Sequence, residues 1–170
     1  GDRKFAWIPY IDEDCFLRLF PENVQQVADL HETTMAVGDV FARSREAIVR
    51  SETGTDVQMR IGEYRINWAT GVFQEGRGYG GLEIWPGGQI STMPNVGTAN
   101  GTVVIDRSVN APEFRELLDP IQFTVEDGYV TRVEGGVEAR RMERFLASLD
   151  DEGEAYHLTE LGVGTNKLCQ

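Results

Sequence analysis

Apolar positions along this chain run first at helical spacing, then at strand spacing, then at helical spacing again. Phe5 to Phe20 reads as an extended lead-in. Phe20-Pro21-Glu22-Asn23 reads as a helix start with the proline in the first turn. Val24, Val27, Leu30, Thr34, Met35, Gly38 and Phe41 then draw one stripe down a helix of roughly 20 residues. Glu46 to Glu52 is a short strand candidate, and Thr53-Gly54-Thr55-Asp56 a turn. Val57, Met59 and Ile61 alternate as a second strand. Residues 71–101 are rich in glycine and read as a looped or bulged β-region, with Leu82 to Trp85 and Gln89 to Met93 as short strands. Gly101 to Asp106 is a β-branched run that predicts a buried strand.

The sharpest local signal lies between Ile121 and Glu134. Ile121, Phe123 and Val125 alternate, Asp127-Gly128 follows, and Val130 and Val133 resume, which is the pattern of a hairpin closed by a two-residue turn. Gly135-Gly136 ends it. A helix over Val137 to Leu149 follows, with Met142, Phe145, Leu146 and Leu149 on one face, then a charged loop from Asp150 to Glu154. His157 to Val163 reads as a last strand, ending in Gly164-Thr165-Asn166. Helices and strands do not alternate regularly. The expected fold is therefore α+β, a mostly antiparallel, β-rich domain with two main helices, and not a doubly wound α/β sheet.

Composition narrows the range of partners. The chain has 170 residues, read as a single domain over 1–170, and 41% apolar residues, enough for a sizeable core. Lys and Arg number 16 against 28 Asp and Glu, a net charge of −12. Such a surface repels nucleic acid and anionic membranes, and leaves cationic ligands, peptides and metal ions compatible. Solubility alone is the plainer reading of that charge. No signal peptide or membrane-length apolar stretch is visible, so a cytoplasmic location is expected. Cys15 and Cys169 form no metal-type pair and read as reduced thiols.

Several motifs fall short of the chemistry they suggest. Gly76-Arg77-Gly78-Tyr79-Gly80-Gly81 matches the dinucleotide fingerprint. It runs into Leu82-Glu83-Ile84-Trp85-Pro86, which does not open a helix, so it reads as a loop. His31-Glu32 begins a zinc-peptidase motif, but Met35 stands where the second histidine belongs. No serine-nucleophile motif is present, and the acidic neighbours of Cys15 blunt it as a nucleophile. Asn100-Gly101-Thr102 is a formal glycosylation site that reads as a turn. His157 and Glu160 lie three apart on the expected last strand. They would point to opposite faces and are not expected to bind one metal together. Glu160, set among apolar residues, needs a partner, a metal or an exposed face, and the plain reading is a solvent-facing glutamate.

Five segments in order carry a resemblance. They are Thr53-Gly54-Thr55-Asp56; Trp85-Pro86-Gly87-Gly88-Gln89-Ile90 through Pro94; Asn100-Gly101-Thr102-Val103-Val104-Ile105-Asp106; Pro120-Ile121 through Gly135-Gly136-Val137-Glu138-Ala139; and Glu160-Leu161-Gly162-Val163-Gly164-Thr165-Asn166. Together, from about residue 45 to the end, they resemble the aminopeptidase T family of metallopeptidases, with its 2,5-dihydroxypyridine dioxygenase-like branch. The resemblance implies the central part of such a protein, with an N-terminal α/β domain before it and a histidine-bearing, metal-binding segment after it, both expected to be absent from this chain. In the aminopeptidase branch two carboxylates of this region bind metal. Gln89 stands at the first position and Glu160 keeps the second. A neutral amide is a poorer ligand for a dication than a carboxylate, so the metal site is expected to be incomplete. The dioxygenase branch implies an iron site built chiefly from the segment that follows.

The expected function is that of part of a metal-dependent peptide hydrolase, an aminopeptidase-like metalloenzyme. Zinc, cobalt or iron would serve the complete protein, with none expected in this chain by itself. Glu160 would approach the metal, and Gln89, Trp85 and Tyr79 would contact substrate. Two alternatives stand beside it. One is a non-catalytic domain that binds a peptide or small molecule or forms a homodimer, with Trp68, Tyr79 and Trp85 offering apolar area, although core packing is the plainer role for such side chains. The other is a fragment of a ring-cleaving iron dioxygenase.

Overall fold

The computed structural model describes residues 5–7, 13–73, 82–111, 114, 116–149 and 152–168. In chain order the elements are β1 (Phe5–Trp7), α1 (Glu13–Leu19), α2 (Val24–Arg43), β2 (Glu46–Arg50), β3 (Asp56–Arg60), β4 (Ile66–Ala69), β5 (Leu82–Ile84), β6 (Gln89–Thr92), β7 (Asn100–Ile105), β8 (Ile121–Glu126), β9 (Tyr129–Gly135), α3 (Val137–Leu149) and β10 (Leu161–Gly164). The fold is α+β and β-rich, and among the described strands pairing is antiparallel except between β1 and β5. The chain divides into two compact units. One comprises Gly1–Ser44, Tyr64–Met93 and Glu160–Gln170, the other Arg45–Glu63 and Pro94–Thr159. No described helix is long and apolar enough to cross a membrane.

In the first unit, β4 and β10 flank β6 in a three-stranded antiparallel sheet, and α2 packs against β4 and β6. The Asn23 side chain caps α2 by accepting from Gln26 N at 3.0 Å. The buried stripe is Leu30, Thr34 and Gly38, narrower than the apolar pattern suggests, and Val24 is 85% exposed. Gly38 is in the stripe because the indole of Trp68 occupies the space a Cβ would take. Thr34 turns its hydroxyl back onto Leu30 O at 2.7 Å, which satisfies a polar group in a fully buried position. The extended lead-in expected over Phe5 to Phe20 is only β1. Residues 13–19 form α1, with Arg18 in its last turn, where a cation complements the helix dipole.

In the second unit the sheet order is β2-β3-β7-β8-β9. β3 alternates cleanly, with Val57 and Met59 buried and their neighbours exposed. β7 is half-buried along its length, not buried as its β-branched run suggested. The sequon residues Asn100 to Thr102 lie on β7 and not in a turn. Asn100 Oδ1 accepts from Asp127 N at 3.0 Å. The β8–β9 hairpin closes through Asp127 and Gly128, with φ of 49° and 83°, the positive pair a two-residue turn of this kind requires. Helix α3 packs on β8 and β9 around Phe114, Ile121, Ala139 and Met142. Full burial of side chains such as Ile121 and Met142 contributes about 1.5–3 kcal/mol each. Leu149, expected on the buried face of α3, is exposed. Glu138 is buried in its place near the start of the helix, where Arg141 donates to both carboxylate oxygens at 2.9 and 3.1 Å.

The last strand is shorter than expected. Glu154–Tyr156 makes a 3-10 turn, His157 forms an isolated bridge to Tyr129, and Leu158 N donates to Gly128 O at 2.8 Å. Those bonds use the backbone that a longer strand would need. Residues 158–160 are irregular, and β10 begins at Leu161. Glu160 therefore lies just before a strand and is exposed, not set within one.

Candidate functional site

The site grows from two of the segments that carry the resemblance. Trp85-Pro86-Gly87-Gly88 leads into β6, and Glu160 leads into β10. These strands are antiparallel partners, with Gln89 opposite Gly164, Ile90 opposite Val163, Ser91 opposite Gly162 and Thr92 opposite Leu161. β4 continues the rows on the far side, with Ala69 opposite Gln89 and Asn67 opposite Ser91. Directly opposed residues share a face. One face therefore carries Ile66, Trp68 and Ile90, toward α2. The other carries Asn67, Gln89, Ser91, Gly162 and Gly164. Glu160, just before β10, lines the same surface as Gly162 and Gly164.

On that face the glycines make a floor. A Cβ on Gly162 would lie 3.5 Å from Gln89 Nε2 and 3.9 Å from Ser91 Cβ, so the Gln89 amide extends over Gly162, while Gly164 has open space above it. An open depression of about 510 Å³ results, lined by Gly87, Gly88, Gln89, Glu160, Gly162, Val163 and Gly164. Glu160 is the charged member of that lining, and Gln89 supplies an amide that both donates and accepts. Such a surface presents hydrogen-bonding groups close to the backbone.

The other expected site residues are placed differently. Trp85 lies at the start of the turn, 39% exposed, with its ring centroid 6.3 Å from that of Phe20, and it is not among the residues lining the depression. Tyr79 lies outside the described residues, as does the whole glycine fingerprint around it. His157 stacks on Tyr129 at 4.7 Å between centroids. Neither histidine lines the depression.

The family resemblance implies a divalent metal, and the described donors do not make a complete set for one. Among the described residues no three His, Cys, Asp or Glu side chains group as a metal site. The depression offers one carboxylate and one neutral amide, where a catalytic centre takes about three protein ligands.

A knot of close backbone contacts holds the near end of the site. Gly88 N donates to Ala69 O at 2.7 Å, and Gly88 O accepts from Thr165 N at 2.7 Å. A Cβ at Gly88 would fall 2.7 Å from Asn166 Cβ and 3.0 Å from Leu30 Cδ1. Asn166 Nδ2 donates to Leu19 O at 3.1 Å, and the Thr34 and Thr165 hydroxyls meet at 2.7 Å. Beside the knot lies a carboxylate that sequence reasoning passed over. Glu83, on β5, is 3% exposed, and Gly71 N donates to its Oε1 at 3.1 Å. Burial pushes this carboxyl above its ordinary value, against backbone N–H bonds from Gly71, Ile84 and Thr70 that pull it down. The available signal was a lone acid between Leu82 and Ile84, where a strand too short to show a period hid its burial.

A family model for 2,5-dihydroxypyridine 5,6-dioxygenase (NicX) matches residues 12–170. A curated relative, 2,5-dihydroxypyridine 5,6-dioxygenase of Pseudomonas putida KT2440, is 28% identical over 137 residues, which cover 80% of this chain and 38% of the relative. Among solved structures, 2,5-dihydroxypyridine dioxygenase from Pseudomonas putida KT2440 superposes with a TM-score of 0.72 at 22% identity, over 97% of this chain and 46% of that one. AmpT from Thermus thermophilus superposes with a TM-score of 0.62 at 16% identity, over 89% of this chain and 36% of that one. At these identities the structural likenesses show the fold alone. The chain thus spans less than half the length of the relatives it matches. The expectation of a hydrolase, an aminopeptidase or metalloprotease cutting peptides, is overturned, because the family and the curated relative are both named for oxygenation of a pyridine ring. Gln89, at the position where the aminopeptidase resemblance called for a carboxylate, agrees with that correction. With the match running from residue 12 to residue 170, the chain belongs to the 2,5-dihydroxypyridine 5,6-dioxygenase (NicX) family.

Proposed function

We propose that this chain is part of a ring-opening dioxygenase acting on a dihydroxylated pyridine, and that the β6–β10 face is a wall of its substrate cleft. The observation that carries this reading is the meeting of two separated segments on one glycine-floored face. Gln89 comes from the first, Glu160 from the second, and both line one depression. Glycines let a planar ring approach the main chain where side chains would hold it off. The Glu160 carboxylate accepts a hydrogen bond from a ring hydroxyl, and the Gln89 amide pairs with the second hydroxyl or the ring nitrogen. These contacts bind and orient the ring.

A divalent metal, for which we propose iron, would supply the oxygen chemistry when bound; Glu160 would be the charged ligand offered to it by the lining, which is short of a full set. The part of this chain in the reaction is accordingly binding and orientation.

The test is turnover of 2,5-dihydroxypyridine by the full-length protein with ferrous iron, followed as oxygen uptake and loss of substrate absorbance. Glu160→Ala and Gln89→Ala should each lower kcat/KM by about 10- to 100-fold, the range for losing a hydrogen bond to a charged or well-oriented group. A wild-type protein that consumes no oxygen with this substrate overturns the reading. Unchanged kinetics in both variants removes this face from the site.

A further inference from the structure

Glu83 is a buried ionisable group for which the proposed binding role has no use. A carboxylate taken out of water loses several kcal/mol of hydration unless donors replace it. Here the donors are main-chain N–H groups, Gly71 at 3.1 Å, with Thr70 and Ile84 beside it. A group retained at that energetic cost constrains whatever it holds, and what it holds is the turn after β4.

That turn has nowhere to go. Gly71 has φ of 78°, and a Cβ on it would collide with the Pro86 carbonyl. Gly87, with φ of 88°, lies so close that its own Cβ would collide with Gly71 N. The Thr70–Gly71 and Pro86–Gly87 backbones touch with no side chain between them. The next residue, Gly88, is fixed to Ala69 and Thr165 by hydrogen bonds of 2.7 Å each, and the residue after that is Gln89. A displacement of Thr70–Gly71 is therefore transmitted by direct contact to the point where Gln89 leaves the turn.

We propose that Glu83 is a positioning residue for the Gln89 end of the β6–β10 site, its buried carboxylate clamping Thr70–Gly71 and, through them, the Gly87–Gly88 turn that aims the Gln89 amide over Gly162. The effect on substrate rests on the dioxygenase reading. The effect on the turn does not.

Two measurements on the full-length protein test it. Amide hydrogen exchange should be about 10-fold or more faster at Gly88 and Gln89 in Glu83→Ala, within about 2-fold of wild type in Glu83→Gln, and unchanged in the 121–135 hairpin. In turnover of 2,5-dihydroxypyridine, Glu83→Ala should raise KM about 10-fold with kcat within about 3-fold, and adding Gln89→Ala should change KM by less than about 2-fold more. Unchanged exchange at Gly88 and Gln89, or fully additive effects of the two substitutions on KM, overturns the proposal. If the wild type turns over no dihydroxypyridine, the substrate reading fails and the exchange result alone decides the role of Glu83. Should Glu83→Ala not fold, Glu83→Asp replaces it. Asp keeps the charge but shortens the reach, and must loosen Gly88 more than Gln does. The reverse order overturns the clamp.

Discussion

At the scale of single residues, the molecule depends on where side chains are excluded. Gly88 combines φ of 86° with neighbours on both sides, Asn166 Cβ at 2.7 Å and Leu30 Cδ1 at 3.0 Å from any added Cβ. Gly88→Ala should destabilise by about 2–4 kcal/mol, backbone strain and overpacking together, read as a lower urea midpoint. Glu83 gives a pH signature whose sign follows from its raised pKa. The folded state binds the proton more readily than the unfolded chain. This contribution to stability is therefore fully present below the ordinary carboxylate pKa and is lost as pH rises through the folded one. Wild type should lose stability relative to Glu83→Gln as pH rises above the ordinary glutamate range of about 4.3. A flat difference in unfolding midpoint above that pH would contradict it.

Elements show how two opposing effects are resolved by magnitude. Gly38 in the middle of α2 is unfavourable to the helix by about 1 kcal/mol relative to alanine. The indole of Trp68 fills the space above it, and overpacking costs about 1–3 kcal/mol. Gly38→Ala is thus expected to leave α2 intrinsically more helical and the protein less stable, with the near-ultraviolet signal of Trp68 altered. A gain in stability would show that Trp68 moves aside easily. At the start of the same helix, Asn23→Ala removes the cap on Gln26 N and should cost about 1 kcal/mol in the same denaturation assay. Both elements were readable beforehand, the helix from its stripe and the hairpin from Asp127-Gly128. The α1 helix and the early end of the last strand were not. α1 is too short to show a period, and the irregular stretch before β10 follows from a bond between Leu158 and a turn thirty residues earlier.

Over the whole molecule the governing quantity is charge. A net −12 makes the compact chain repel itself. Raising ionic strength from about 0.01 M to about 0.15 M shortens the screening length from about 30 Å to about 8 Å, so the urea midpoint should rise. A falling midpoint would mean that exposed pairs such as Arg50–Asp56 and Arg132–Glu134 outweigh the repulsion. Family-scale similarity also belongs here. The segments from Trp85 and from Glu160 looked like separate motifs, and the sheet makes them strand partners.

Local chemistry was determined by sequence alone. Period and turn residues set the two long helices, the alternating β3 and the two-residue hairpin, because each depends on neighbours a few positions away. The tertiary structure decided which polar groups are buried and which face each other. Glu83 and Glu138 are carboxylates like any other in a list of residues, and Gln89 and Glu160 lie seventy-one positions apart. Burial and proximity between such residues depend on long-range strand register, which the composition of a single segment does not encode.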